Sequence, residues 1–79
     1  MSIADEVLSV LQQITGEPSV RSDPELRLFD LQLLDSLRTI ELLVALSERC
    51  GIDLAPSEVD RDVWATPGLI VTFMEARIP

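Results

Sequence analysis

The residues of this chain best placed to do chemistry are Asp35 and Ser36, in the run Leu33-Leu34-Asp35-Ser36-Leu37. Asp is a strong helix N-cap, so Ser36 falls in the first turn of the helix that follows. Backbone N–H groups point outward unpaired there, and the helix dipole is positive. A phosphoester on the Ser36 hydroxyl would be an anion placed where anions are stabilised, and that hydroxyl faces solvent, within reach of a modifying enzyme. The other reading is a plain polar first-turn residue, and position alone does not separate the two.

Enzymatic alternatives are thin. The chain has no His, so the commonest general base near neutral pH is missing. A Ser-His-Asp or Cys-His nucleophile system cannot be assembled within it, and it is expected not to be an enzyme. Cys50 is the single cysteine, which excludes an internal disulfide and a cysteine zinc cluster. A lone thiol fits a reducing compartment, and at a helix end it reads as a small apolar filler.

Charge narrows the partners. Fourteen acidic residues face six basic ones, all Arg, for a formal net charge of -8. That sign argues against nucleic acid and against an anionic membrane surface. It favours a basic patch on a protein partner. No apolar run approaches the roughly 20 residues that cross a bilayer. Residues 1–6 lack the basic start of a secretory signal. A cytoplasmic monomer without membrane insertion is the expectation, and 79 residues make one domain, 1–79, with a small core.

The elements that position Ser36 follow from periodicity and caps. Ile3, Val7, Val10, Leu11 and Ile14 form one face of an amphipathic helix over residues 3–15, with Ser2 before it and Gly16 and Pro18 ending it. Residues 17–35 read as a long but ordered loop. Leu26, Leu28, Phe29, Leu31, Leu33 and Leu34 gain about 1.5–3 kcal/mol each on burial, so they are expected to pin it. Residues 36–49 form the second helix, stopped at Gly51. A short helical turn is expected around residues 58–63. Thr66 as N-cap and Pro67 at the first position open a last helix, with Leu69, Ile70 and Phe73 inward and Met74 flanking. Strand alternation is absent over any useful length. The fold class is all-α: a small bundle of three main helices plus one short helix.

The second helix is apolar on more than one face. Thr39, Leu42, Leu43 and Leu46 make a stripe that can bury. Leu37, Ile40 and Val44 lie on a neighbouring face beside Ser36. Either the helix is buried on most sides, or this second face is a docking patch rimmed by Asp35, Glu41 and Glu48.

The run Leu28-Phe29-Asp30 … Leu34-Asp35-Ser36-Leu37 … Thr39-Ile40-Glu41-Leu42 closely resembles the attachment-site signature of phosphopantetheine-dependent carrier proteins. The resemblance covers nearly the whole chain. Within that superfamily it is most similar to the D-alanyl and stand-alone aminoacyl carriers, on the spacing from Gln32 to Ser36 and on residues 56–66, which include Arg61 and Trp64. Two positions depart from the pattern. Gln32 stands where the family usually has Gly, which predicts a different loop backbone. Arg38 stands where fatty-acid carriers have an acidic residue and D-alanyl carriers a small one, which predicts altered partner choice.

The resemblance implies an acyl-carrier-like bundle that carries 4'-phosphopantetheine on Ser36. A phosphopantetheinyl transferase takes the arm from coenzyme A. A stand-alone adenylating ligase then loads an aminoacyl or acyl thioester, and a downstream transferase or synthase receives it. The cargo is either D-alanine for cell-wall teichoic acid or an amino acid starter unit for a natural product. The docking residues it implies are Asp35, Leu37, Arg38, Ile40, Glu41 and Val44, extended by Val63 and Trp64. Trp64 has a second reading, as a core plug between the short helix and the last. A small acidic helical adaptor with no cofactor is the alternative of another class.

Overall fold

A computed structural model describes residues 2–78. Four α-helices follow in order: α1 (Ile3–Thr15), α2 (Ser19–Ser22), α3 (Ser36–Cys50) and α4 (Pro67–Arg77), with a 3-10 turn at Pro56–Glu58 before the last. No strand is present among the described residues. The all-α class and the three main helices are as the sequence predicts.

Local chemistry sets the helix ends. Ser2, Asp35 and Thr66 each accept a backbone N–H three residues on, from Asp5, Arg38 and Leu69. Gly16 and Gly51 close α1 and α3 in the left-handed conformation, at φ 70° and 68°, which glycine adopts without steric cost.

Helix α1 packs against both α3 and α4, and α2 packs on α1. The core joins Val7, Val10 and Leu11 of α1 to Leu42, Leu43 and Leu46 of α3 and to Ile70, Phe73 and Met74 of α4. Arg49 Nε lies 2.9 Å from Glu6 Oε2 and ties α3 to α1 at the rim of that core.

The connection from α1 to α3 is ordered, and it contains α2, where the sequence predicts loop. Four residues are too few to show a helical period; Val20 anchors this turn in the core, and Glu17 Oε2 accepts the Ser19 N–H. Leu28 and Leu34 are buried, and Leu26, Phe29 and Leu33 pack against the core from its edge. Backbone bonds do as much. Leu28 N–H donates to Ala65, and Gly68 N–H donates to Pro24. A Cβ at Gly68 would sit 3.0 Å from that Pro24 carbonyl. Leu31, expected to help pin the loop, is exposed instead, because the chain reverses beside it.

That reversal bears on Gln32. Its φ is 61°, so the backbone takes the left-handed form open to glycine although the residue is not glycine. The conformation at Gln32 is thus one that glycine suits, and holding a side chain there carries steric strain.

The expected turn over residues 58–63 is also displaced. The 3-10 helix occupies Pro56–Glu58, with Pro pre-set at its start. Residues 60–64 instead form turns in which Asp60 accepts the N–H groups of Val63, through its carboxylate, and of Trp64, through its carbonyl. On α4 the inward face is Pro67, Ile70, Phe73 and Met74. Leu69, expected inward, is exposed, and Met74, expected to flank, is fully buried. The i, i+3, i+7 register from Pro67 selects this face.

Candidate functional site

Asp35 sits in extended backbone at φ -142°, and its carboxylate takes the Arg38 N–H at 2.8 Å. Its own carbonyl takes the Thr39 N–H, also at 2.8 Å. These two bonds fix the start of α3, so Ser36 is its first residue. Ser36 is exposed. Its hydroxyl stands at the positive end of a 15-residue helix, where a phosphoester is electrostatically favoured.

Beside Ser36 opens a cleft of about 730 Å³. One side is the first turns of α3, with Ser36, Arg38, Thr39 and Ile40; the other carries Phe29, Val59 and Arg61. Arg61 holds its guanidinium over the Phe29 ring, 4.9 Å from the centroid. Thr39 lines the cleft, and its Oγ1 is buried with no hydrogen-bond partner among the described residues.

The apolar face forecast from spacing is on the surface. Leu37 is 70% exposed, Ile40 44% and Val44 47%, while Leu42, Leu43 and Leu46 fill the core. Asp35, Arg38, Glu41 and Glu48 are exposed around this face. Val63 is half-buried.

Trp64 does not join them. It is 0% exposed and meets Phe73 edge to face, 5.7 Å between centroids at 89°. Its place among the docking residues is thus corrected: the indole is a core plug, and a side chain sealed from solvent offers a partner nothing.

Cys50 is half-buried at the end of α3. Burial pushes its thiol up, with the Glu6 carboxylate adding to the effect. It is a poor thiolate, in keeping with a filler role.

Phe29, Val59 and Arg61 as cleft walls are not legible in the sequence, because they come from two segments about thirty positions apart. Arg61 stands between Asp60 and Asp62 in the sequence, so nothing local marks it as a cleft residue.

A family profile described as "Phosphopantetheine attachment site" matches residues 5–73, which include Ser36 and both sides of its cleft. The chain belongs to this family. It is a carrier protein, and its cofactor is 4'-phosphopantetheine. The carrier is similar to the D-alanyl carrier protein of Listeria monocytogenes, 43% identical over 76 residues that cover 96% of this chain and 97% of that one. The D-alanyl carrier protein of Bacillus velezensis is 45% identical over 71 residues, 90% and 91% of the two chains. That of Enterococcus faecalis is 42% identical over 76 residues. The adaptor reading without a cofactor is set aside by this membership. Among the described residues no helix is long and apolar enough to cross a membrane.

Proposed function

We propose that Ser36 is the attachment point of the 4'-phosphopantetheine arm, and that the carrier holds D-alanine for transfer to a cell-envelope acceptor such as teichoic acid. The observation that carries the first part is the exposed serine at the first position of α3, within the matched span. The second part is supported by relatives 42–45% identical that are D-alanyl carrier proteins.

The residues present fit the arm. Ser36 supplies the nucleophilic oxygen, Asp35 fixes the helix start at which it stands, and the neighbouring cleft offers an apolar wall from Phe29, Ile40 and Val59. The base that takes the Ser36 proton belongs to the phosphopantetheinyl transferase, since this chain has no His. When bound, the arm supplies a terminal thiol that holds the aminoacyl group as a thioester. Leu37, Ile40 and Val44, rimmed by Asp35, Glu41 and Glu48, form the docking surface for the transferase, the adenylating ligase and the downstream acceptor enzyme. Acidic rim charges speed encounter with basic partner surfaces, so association weakens as salt rises.

Intact mass after incubation with coenzyme A and a promiscuous transferase tests the site: the wild-type chain gains the mass of the arm and Ser36→Ala does not. A gain in Ser36→Ala refutes the site. Loading the modified carrier with D-alanine against L-alanine by a D-alanine-activating ligase tests the cargo, and equal or absent loading refutes it.

A further inference from the structure

The arginines divide into two groups. Arg21 pairs with Asp5, Arg27 lies 3.4 Å from Asp30, Arg49 lies 2.9 Å from Glu6, and Arg77 lies 3.2 Å from Glu58. Arg38 and Arg61 have no carboxylate within ion-pair distance among the described residues, and both line the cleft beside Ser36. In a chain of net charge -8, two cations left unpaired on one concave site need a reason.

The carboxylates of that cleft do not supply one. Asp35 and Asp60 also line it, but each is engaged with backbone: Asp35 takes the Arg38 N–H at 2.8 Å and Asp60 the Val63 N–H at 2.9 Å. The Arg38 guanidinium makes one long contact, 3.5 Å, to the Leu33 carbonyl. Arg61 rests on the Phe29 ring, which orients its plane while leaving its N–H donors free. A guanidinium fork matches two oxygens of a phosphate, and charge-assisted bonds of this kind are the strong ones. The cleft is concave and contains Ser36, so it suits a small anion fixed at that serine better than a partner's convex surface.

We propose that Arg38 and Arg61 form a two-sided clamp for the phosphodiester that joins the arm to Ser36, which sets the direction in which the arm leaves the helix. The clamp rests on Ser36 being the attachment point. It gives Arg38 a role in the carrier itself.

Nitrogen-15 spectra of the arginine Nε–Hε groups, before and after conversion with coenzyme A and a transferase, test it. Both the Arg38 and Arg61 cross-peaks move on conversion, while those of Arg21 and Arg77, paired within the chain, stay in place. In the modified R38A/R61A chain, the phosphorus-31 resonance moves to the position of a free pantetheine phosphodiester. Intact mass on the same samples separates the two readings. A chain that gains no mass overturns the Ser36 site and the clamp together. A chain that gains the arm while either arginine stays unmoved overturns the clamp alone. Movement that appears only when the ligase is added assigns the arginines to a partner's carboxylates and overturns it too.

Discussion

The Oδ1 of Asp35 accepts the Arg38 N–H at 2.8 Å, and this bond decides which residue stands first in α3. Asp35→Ala removes it and costs about 1 kcal/mol, or roughly 4–8 °C in melting temperature for a domain of this size. Asp35→Asn keeps an acceptor and recovers most of the loss. Arm transfer to Ser36 slows in the alanine variant, and the rate of mass gain reads this directly.

The exposed face of α3 separates binding from folding. Ile40→Asp and Val44→Asp place a charge on residues already 44% and 47% exposed, so helix content by circular dichroism stays unchanged. Ligase affinity falls about tenfold or more, the usual effect of putting a charge where an interface needs an apolar anchor. Unfolding of either variant would place these side chains in the core.

Trp64 behaves in the opposite way. Trp64→Ala empties the space of a fully buried indole and costs about 3–5 kcal/mol, much of the roughly 5–15 kcal/mol that holds a domain folded. Trp64→Phe keeps a ring against Phe73 and deletes an N–H that has no partner among the described residues, so its cost is well below that of the alanine variant. Urea titration ranks the two, and equal costs would contradict the packing.

Gln32 at φ 61° stores strain that glycine would relieve. Gln32→Gly is expected to raise stability by about 0.5–1 kcal/mol, net of the greater freedom glycine gives the unfolded chain. A lower melting temperature would mean the Gln32 side chain contributes more than its backbone costs.

Glu58 links stability to pH. Its carboxylate accepts the Ala55 N–H at 3.1 Å and an Arg77 N–H at 3.2 Å, and these hold its pKa below the ordinary glutamate range. The folded state therefore binds this proton less tightly than the unfolded state. The stabilisation is complete above the ordinary glutamate pKa and is lost as pH falls towards the lowered value. Melting curves from neutral to acid pH show this loss, and Glu58→Gln reduces the slope in that window.

How much the sequence determined by itself follows from the range of the forces involved. The bounds of α1 and α3 and the start of α4 were legible because each is set within a few residues, by caps at Ser2, Asp35 and Thr66 and by glycines at Gly16 and Gly51. The place of Ser36 at the start of α3 was legible for the same reason, since it depends on the cap one residue before it. The Leu37, Ile40 and Val44 face was legible as a pattern, though not whether it was covered.

Tertiary structure decided the rest. Whether an apolar residue turns inward depends on which element lies opposite, and period alone does not carry that. It placed Trp64 and Met74 inside and Leu31 and Leu69 outside. It also built the cleft, because Phe29, Arg38 and Arg61 become neighbours only when the connection before α3 and the turn after residue 58 fold against the same helix. Ion pairing acts across space, so the tertiary structure decides which arginines, here Arg38 and Arg61, lack a carboxylate partner among the described residues.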